Sequence, residues 1–549
     1  MTEPQNLEHE RADRSGRSLS LRAKLTIIFV LIAVAGVAVS ATAILRTSQD
    51  ALEATMFGKL TAVRALKAQR IEDYFSLISS QAKTLSRDTM IVNVIQEFAA
   101  GAESLIRDAK RTLSDKDDDV LRRYYIEHFI PRLLHDDSAK KDLEAYLPTE
   151  LVAKSLQKIF IADNPYDVGT KDFLTRAVGE SDYASTHEIY HPIFREFIDQ
   201  FGYYDLFLID TDGTIIYTVF KEVDFGTSLL TGPHKDTNFA AVFSTAMQAS
   251  EPGEVFFSDF EPYAPSYHAP AAFVVSPVFE EGRKLGALAL QFPIDRINAI
   301  MTNNDDWRSV GLGESGETYL VGSDFKIRNQ SRFLIEAPEV FLPKIMAIEN
   351  TRDYAQRVLE QNSTIGLMPV RTQAVDAALR GEIGTEVLPD YRNVPVLSTY
   401  QPVDLPGLNW VIISQIDESE AFLPIYELQQ YAFIIAGVLS LIVIVVATVT
   451  ARSITNPLAR LVGFSKGLAG VDFRKDDTPE LVHEIEPVTS RGDEVGDLAR
   501  AFSNLATNLQ SSVRNLIETE TDKERMAGEL SIASNIQMSM IPLTFPRFP

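Results

Sequence analysis

Two long apolar runs dominate the hydrophobic pattern of the chain. They occupy residues 25–45 and 431–451, and each has 21 residues without a charged side chain. A helix rises about 1.5 Å per residue, so each run would be about 31 Å long and would match a bilayer core of about 30 Å. The pattern therefore predicts two transmembrane helices separated by a large segment, residues 46–430.

Positive charges flank the two runs unequally. Within fifteen residues of each end, Lys plus Arg number five before the first run and two after it, then none before the second run and three after it. Because positively charged flanks stay in the cytoplasm, we expect an inner-membrane protein with a cytoplasmic tail (1–24), a cytoplasmic C-terminal part and an external segment 46–430. A cleaved signal peptide is the alternative for the first run, since Ala41-Thr42-Ala43 fits a cleavage site, but the run is longer than a usual signal core.

Helical and strand patterns alternate between the two runs. From Leu52 to Leu85 apolar residues recur at steps of mostly three or four, which predicts a long stalk helix. Residues 206–219 and 270–292 each read as strand, turn and strand, and the same plan returns at 318–331 and 395–416. Two such copies predict two antiparallel sheets with helices on one face, an α+β fold with room for a small ligand.

The phrases FGYYDLFLID, GTIIYTVFKEVDFGTSL, SGETYLVGSD and PGLNWVIISQID resemble the double Cache family, the PAS-like extracellular small-molecule sensors of bacterial receptors. The resemblance covers most of residues 50–425. It implies that a membrane-distal module, about 203–292, binds the ligand and that a proximal module, about 318–416, relays binding. The aromatic-Arg-aromatic pattern of amino-acid-binding members is not found, so the resemblance does not imply an amino-acid ligand.

Candidate pocket residues are the polar and aromatic groups at strand ends and in the loop DFEPYAPSYHAP. Such groups can orient a ligand within a largely apolar pocket. The candidates are Tyr204, Asp205, Tyr217, Asp259, Tyr263, Ser266, His268 and Phe273. The alternative for each of them is an ordinary place in the core or in a turn.

Two short motifs match enzyme signatures without the expected context. Residues 187–191, HEIYH, match the zinc motif H-E-x-x-H, but Pro192 disfavours helical geometry at His191, so the two rings need not share a face. Residues 311–316 match the dinucleotide motif G-x-G-x-x-G, which follows a strand and opens a helix, whereas here it precedes a strand. We therefore expect no zinc peptidase, and we predict that residues 311–316 form a turn entering a sheet.

Two short heptad helices, near residues 454–468 and 495–509 and joined by a loop, are predicted after the second apolar run. Such helices cannot bury their seams alone, so the pattern predicts a parallel four-helix bundle in a homodimer. Residues 452–506 resemble a HAMP domain, with Pro457 and Glu494 at its marker positions. The resemblance implies signal relay by Pro457, Leu458, Leu461, Glu494, Leu498, Phe502 and Leu505. A juxtamembrane coiled coil without a switching role is the alternative.

The heptad rhythm continues as a coiled coil through residues 507–542. Residues 529–542, ELSIASNIQMSMIP, resemble the helical lead-in of SpoIIE-like metal-dependent serine/threonine phosphatases. The resemblance implies a following catalytic domain in which Asp residues hold manganese or magnesium, with a phosphorylated regulatory protein as substrate. Only residues 543–549 follow Pro542, so we expect this chain to lack that domain, to need no cofactor itself and to have no catalytic activity.

Composition narrows the classes of partner. At 549 residues the chain is multidomain, and its net charge of −24 argues against nucleic acid, because a polyanion is attracted by positive patches. There is no Cys, so neither a disulfide nor a Cys-based metal site is possible. These observations together favour the sensory and transmembrane part of a receptor phosphatase. A non-enzymatic chemoreceptor-type fragment and the sensor part of a nucleotide cyclase are the alternatives.

Overall fold

The computed structural model describes residues 19–112, 114–133, 143–177, 179, 181–348, 352–470 and 478–539. Their contacts define two compact units. One is Gln49–Pro424, and the other combines the chain up to Ser48 with the chain from Ile425 onward. Both sheets belong to the Gln49–Pro424 unit, so any ligand site built on them lies there.

Helices and strands alternate through the described residues. The α-helices are α1 (Leu21–Leu85), α2 (Thr89–Thr112), α3 (Asp115–Tyr124), α4 (Leu151–Gln157), α5 (Asp182–Phe201), α6 (Asn238–Ala246), α7 (Ile294–Thr302), α8 (Arg332–Glu336), α9 (Pro338–Met346), α10 (Arg352–Gln361), α11 (Gln373–Leu379), α12 (Glu418–Ala421), α13 (Leu423–Gly470), α14 (Thr478–Thr489) and α15 (Glu494–Ser539). The strands are β1 (Asp205–Asp210), β2 (Ile215–Thr218), β3 (Phe256–Phe257), β4 (Glu261–Tyr263), β5 (Ala269–Glu280), β6 (Arg283–Phe292), β7 (Glu317–Val321), β8 (Gly384–Pro389), β9 (Pro395–Leu405) and β10 (Leu408–Asp417). Short π-helices cover Tyr125–Phe129 and Lys158–Ala162, and short 3-10 helices cover Ile130–Arg132, Leu143–Ala145 and Lys171–Phe173.

The first sheet is antiparallel, with strand order β2-β1-β6-β5-β3 and with β4 paired to β5. Its two predicted hairpins, β1–β2 and β5–β6, are confirmed. Asp210 Oδ1 closes the first turn by accepting the N–H of Thr214 at 2.8 Å. Glu281 and Gly282 make the second turn with φ values of 47° and 82°, the left-handed pair typical of a tight hairpin turn.

The second sheet has the antiparallel order β7-β10-β9-β8. The predicted β9–β10 hairpin is confirmed, but the hairpin predicted at 318–331 is wrong, because only its first strand, β7, forms. After β7 the chain makes one isolated bridge, Val321 to Ile327. Asn329 Oδ1 then accepts the N–H of Leu320 at 2.8 Å, so a side chain replaces part of the ladder that a second strand would supply.

The predicted stalk helix is the second half of α1, and its apolar stripe packs against both sheets. The ring centre of Phe75 lies 5.5 Å from that of Phe292 in β6 and 5.5 Å from that of Trp410 in β10. Within β10, Trp410 and Ile412 share this core, whereas Ile413 faces a second core that includes residues of α8 to α11. The second sheet is thus covered on both faces, so the expectation of helices on one face is wrong for it.

Helices α1 and α13 are long and apolar enough to cross a membrane. Helix α13 continues from the second apolar run through Pro457 without a break. The connector predicted as a loop between the two heptad helices contains α14, so that expectation is wrong. Ile485 and Val488 of α14 share a buried cluster with Leu461 and Ala499.

The residues proposed for signal relay differ in exposure. Leu461 is buried, Pro457, Leu458 and Phe502 are half-buried, and Glu494, Leu498 and Leu505 are exposed. Leu498 and Leu505 are 43% and 49% exposed, so α15 presents an apolar face that the described part of this chain leaves uncovered. Pro542, the end of the phosphatase-like lead-in, lies outside the described residues.

Replacing Phe75 by Ala should destabilise the Gln49–Pro424 unit, because it removes the ring that joins α1 to both sheets. Deleting a buried Phe side chain costs about 3–5 kcal/mol. Thermal unfolding of the full chain in detergent measures the effect, with Leu77→Ala as the control because Leu77 is exposed on the same helix. Equal unfolding temperatures for the two variants would contradict the role given to Phe75.

Candidate functional site

Charged side chains are buried in the segment that follows β2. Residues 221–229 are all buried, and Lys221, Glu222 and Asp224 are among them. Removing an ionised group from water is costly unless it is paired and hydrogen-bonded. A cluster of such groups in one short segment is therefore a candidate functional site.

The cluster includes Asp205 at the start of β1, which is 1% exposed. Its carboxylate accepts the hydroxyl hydrogen of Thr218 and three backbone N–H groups, those of Leu206 at 2.7 Å, Val219 at 2.9 Å and Phe220 at 3.1 Å. Burial raises the pKa of Asp205, and these hydrogen bonds together with the charge of Lys221 oppose the rise. Asp205 therefore has a full set of partners within the protein.

Lys221 is the buried cation of the cluster. Its ammonium donates to the carbonyl oxygens of Thr218 and Val219 and lies 4.6 Å from the ring centre of Tyr217. Burial lowers the pKa of Lys221, while Asp205 and Asp172 counteract that effect. Its backbone φ of 61° is unusual for a side chain of this size, and such strained positions often occur at functional sites.

Glu222 and Asp224 bring together three of the predicted pocket residues. Glu222 accepts hydrogen bonds from Tyr204 Oη at 2.7 Å and Ser266 Oγ at 2.8 Å, and Asp224 accepts one from Tyr263 Oη at 2.8 Å. Burial raises the pKa of Asp224 to about 7 and raises that of Glu222 well above its usual range. The two acids are close enough for the charge of Asp224 to add to the rise at Glu222.

Four buried acceptor atoms near this cluster receive no hydrogen bond of normal geometry from the described residues. They are Asp224 Oδ1, His234 Nε2, Asn238 Oδ1 and Gln291 Oε1. All four side chains are more than nine-tenths buried. Since buried polar atoms are almost always hydrogen-bonded to protein, to water or to a ligand, these atoms are candidate contacts for a bound molecule.

Aromatic rings lie beside the acids. Phe129, in the π-helix, has its ring centre 5.4 Å from that of Tyr125, 5.5 Å from that of Tyr146 and 6.0 Å from that of Tyr267. Burial is the main cause that raises the pKa of Tyr267, and the charge of Glu222 is the next. Single π-helical turns occur frequently at functional sites, so the local helix geometry agrees with this placement.

Two further predicted pocket residues contact the cluster through their rings: Lys221 Nζ lies 4.6 Å from the ring centre of Tyr217, and the ring of Phe273 lies 5.1 Å from that of Tyr263. The last two predicted pocket residues lie elsewhere. His268 lines a separate cavity of about 230 Å³ together with Arg357. Asp259 lies at the junction of the two sheets, so the eight candidates do not form one pocket.

At this junction the carboxylate of Asp259 accepts two bonds from Arg328, from Nε and from a terminal nitrogen, each 2.8 Å long. It also accepts the indole N–H of Trp410 in β10 at 3.0 Å. Asn238 Nδ2 donates to the backbone carbonyl of Asp259 at 2.8 Å. Asp259 thus connects Asn238, whose Oδ1 is one of the unpartnered acceptors, with the second sheet.

The predicted turn at residues 311–316 is confirmed, and it binds the segment that leads into α13. The carboxylate of Glu420 in α12 accepts the N–H groups of Glu314 and Ser315, each at 2.7 Å. Ser315 Oγ in turn accepts the N–H of Asp417, the last residue of β10, at 3.0 Å. The G-x-G-x-x-G glycines therefore build an anchor next to α13, immediately before β7.

The argument from Pro192 against a shared face for His187 and His191 is wrong. Helix α5 continues through Pro192, and the two rings stack with centres 4.3 Å apart. His187 Nδ1 lies 2.9 Å from the carbonyl oxygen of Thr175, and both rings are buried. Among the described residues, no group of three or more His, Asp or Glu is placed to hold a metal ion.

Sequence reasoning missed Lys221, Glu222, Asp224, His234 and Gln291. A signal was present in VFKEVDFG, where three charged residues lie among large apolar residues and the phrase ends at a glycine. Gly226 in this phrase has a φ of 79°, and a Cβ there would lie 2.6 Å from the backbone of Ala153. Charges within such a tightly packed segment are buried, which distinguishes them from those of a solvated turn.

Comparison with known proteins gives partial matches. No family model matches the chain. A methyl-accepting chemotaxis protein of Bacillus subtilis, McpA, is 33% identical over 120 residues, which is 22% of this chain and 16% of that relative. The chain thus aligns with about a sixth of the length of this curated relative.

Two solved structures illustrate the structural matches. The ligand-binding domain of the Pseudomonas aeruginosa amino acid chemoreceptor PctB, in complex with L-arginine, is 16% identical, with a TM-score of 0.26 over 41% of this chain and 75% of that chain. The sensor domain of the V. cholerae histidine kinase DctB is 10% identical, with a TM-score of 0.27 over 55% of this chain and 96% of that chain.

Removing one partner of the Asp259–Arg328 pair should destabilise the junction, because Arg328 is 2% exposed. Without Asp259, Arg328 loses its bidentate partner and keeps Asp324 and the carbonyl of Lys326. Without Arg328, Asp259 keeps the indole of Trp410 as a side-chain donor. We expect Asp259→Asn and Arg328→Met each to cost about 3 kcal/mol, and the double variant to cost clearly less than the sum. Urea unfolding of the detergent-solubilised chain, followed by Trp fluorescence, measures all three.

The control for this cycle is the exposed pair Arg283–Glu280, whose side chains are 72% and 39% exposed. The same cycle there should give a coupling of about 0.5 kcal/mol or less. Equal coupling in the two pairs would show that the junction is an ordinary surface contact.

Proposed function

We propose that the chain is the sensory and membrane-spanning part of a receptor. In this proposal the first sheet module, outside the cytoplasm, binds a small molecule, and the second relays binding through α13. The main support is that a compact unit with unpartnered buried acceptors stands, along the sequence, between two helices able to span a membrane. Both termini are then cytoplasmic, in an inner membrane.

The junction and the turn anchor supply a physical route for this relay. Ligand contact with Asn238 would act on Asp259, which is bonded to Trp410 of β10. Strand β10 ends at Asp417, next to the anchor that holds Glu420. A ligand shifts an equilibrium between two arrangements only by its difference in affinity for them, so the junction must differ between the two states.

A homodimer is part of the proposal. The apolar face of α15 at Leu498 and Leu505 is exposed in the described chain, and a parallel partner would cover it as in a four-helix bundle. The HAMP-like pattern of residues 452–506 supports this arrangement. Ligand binding would then change the packing of the two copies.

The dimer is testable by disulfide crosslinking in membranes, because the chain has no native Cys. Leu498→Cys and Leu505→Cys should crosslink rapidly, whereas Thr507→Cys, on the opposite face of α15, should not. A ligand that binds the Gln49–Pro424 unit should change the rate at which Leu505→Cys crosslinks. Crosslinking at Thr507 alone would refute the assignment of the seam.

For the output we propose a serine/threonine phosphatase domain carried by a longer form of this protein. The support is the ELSIASNIQMSMIP phrase, which resembles the helical entry to SpoIIE-like phosphatases. A chemoreceptor output is the second candidate, favoured by the partial match to the chemotaxis protein. Phosphate-ester hydrolysis by the first class needs carboxylates that converge on manganese or magnesium.

A fusion experiment distinguishes the phosphatase output from the chemoreceptor output. The 549-residue chain alone should not hydrolyse a phosphoserine protein with manganese, and a fusion at Pro542 to a SpoIIE-like domain should do so in a ligand-dependent way. Leu530→Asp should uncouple the fusion by interrupting the heptad seam, while Ser531→Asp, one residue away from the seam, is the control. Hydrolysis by the unfused chain, or a fusion indifferent to both ligand and Leu530→Asp, would contradict the proposal.

A further inference from the structure

We propose that the first sheet module binds an organic cation, a primary amine without a carboxylate, whose ammonium group is held at Glu222 and Asp224. This inference rests on the proposed function and names the chemical class of its ligand. It is carried by the donor and acceptor balance of the site, by its buried charges and by its aromatic rings.

The hydrogen-bond network fixes which atoms need donors. Asn238 Nδ2 donates to the carbonyl oxygens of Asp259 and Ala271, each at 2.8 Å, so its other terminal atom is the acceptor. The Ser266 hydroxyl donates to Glu222, so it can only accept from Gln291 Nε2, at 3.4 Å, and Gln291 Oε1 is left as an acceptor. In both amides the unpartnered atom is therefore an oxygen.

His234 follows the same pattern. Burial lowers the pKa of its ring to about 4, so the ring is neutral, and its Nε2 has no partner among the described residues. A neutral ring has one donor and one acceptor nitrogen, and Nε2 accepts in the tautomer that carries the hydrogen on Nδ1. With Asp224 Oδ1, the unpartnered atoms are thus all acceptors, and an ammonium group offers several N–H donors to such a set.

The buried charges point to the same ligand class. Asp205, Glu222 and Asp224 are three acids, whereas Lys221 is the one buried Lys or Arg of the cluster among the described residues. Lys221 already donates to two carbonyl oxygens and lies near Asp205, so it is not available to a ligand carboxylate. A cation relieves the repulsion among the acids, whereas a carboxylate increases it.

Aromatic rings complete the site. Tyr125 and Phe129 are buried, and Tyr146 and Tyr267 are half-buried at its edge. Burial is the main cause of the raised pKa of Tyr125, and the charge of Asp224 contributes, so this ring lies within electrostatic range of the acid. Ring faces attract cations, and aromatic rings beside carboxylates are a recurrent way to bind organic ammonium groups.

The proposal has a pH signature. Ammonium binding favours the ionised form of Asp224, whose pKa burial raises to about 7, so binding releases a proton below that pH. The amine affinity should rise about fivefold from pH 6 to pH 7 and about twofold from pH 7 to pH 8, because the ionised fraction of Asp224 rises in that proportion while a simple amine stays protonated. The titratable groups that interact with Asp224 are Asp205, Glu222, Tyr125 and Tyr263. Lys221 interacts with Asp205, and the ring of His234 lies beside that of Tyr263. Above its lowered pKa Lys221 loses its proton, which also raises the amine affinity because a competing cation is removed.

The test is calorimetry on the full chain in nanodiscs with small probes. n-Butylamine and 1,4-diaminobutane should bind, 1-butanol and butanoate should not, and 4-aminobutanoate should bind at least about tenfold more weakly than n-butylamine. Asp224→Asn keeps the shape and an acceptor for Tyr263 but removes the charge, so it should weaken n-butylamine at least about tenfold. Asp199→Asn, at an exposed position on α5, should leave the affinity unchanged.

Several results would overturn the inference. They are no amine binding up to 10 mM, butanol or butanoate binding as tightly as the amine, equal binding of 4-aminobutanoate, and a wild-type affinity that falls between pH 6 and pH 7. Thermal unfolding of Asp224→Asn verifies that the variant folds, and the wild-type pH profile decides the matter if the variant does not fold.

If a neutral or anionic metabolite binds and alters crosslinking at Leu505→Cys, the ligand class is wrong and the receptor proposal stands. If no metabolite does so, the receptor proposal fails as well.

Discussion

The Gln49–Pro424 unit depends on the packing of the apolar stripe of α1 against both of its sheets. Phe75 of α1 touches the aromatic rings of β6 and β10, so the two sheets share a core although they pair no strands with each other. Burial of this surface stabilises the unit by the hydrophobic effect, which has no directional preference. Apolar packing alone therefore specifies the orientation of one sheet relative to the other less strictly than directional polar contacts do.

The polar contact that gives direction is the bidentate Asp259–Arg328 pair with Trp410. Planar, charge-assisted bonds fix orientation as well as distance, which apolar packing does not. A charged group at this depth is retained at a cost, since apolar residues of similar size are often neutral or stabilising. Its placement between a candidate binding site and the strand leading to α13 gives that cost a functional explanation.

The segment after β2 also buries charged groups at a cost in stability. Three acids and one lysine are taken out of water there, and the described residues donate hydrogen bonds to most of the acid oxygens but not to Asp224 Oδ1. A segment selected only for stability would bury apolar side chains in such a position. The unsatisfied acceptors, the raised acid pKa values and the positive φ of Lys221 agree with one another, because each costs stability and such costs are concentrated at functional sites.

Sequence periodicity alone determined the candidate spans, the stalk helix, three of the four hairpins and the turn at residues 311–316, because these depend on neighbours in the chain. It could not determine which charges are buried: Lys221, Glu222 and Asp224 have no distinctive periodicity, and packing against Ala153 and the rings of Phe160 and Tyr217 places them inside. Asp259 was predicted as a pocket residue, and the sequence did not show its pairing with Arg328, which is 69 residues away. The continuation of α5 through Pro192 was likewise decided by burial of His187 and His191, which outweighs a local preference of the backbone.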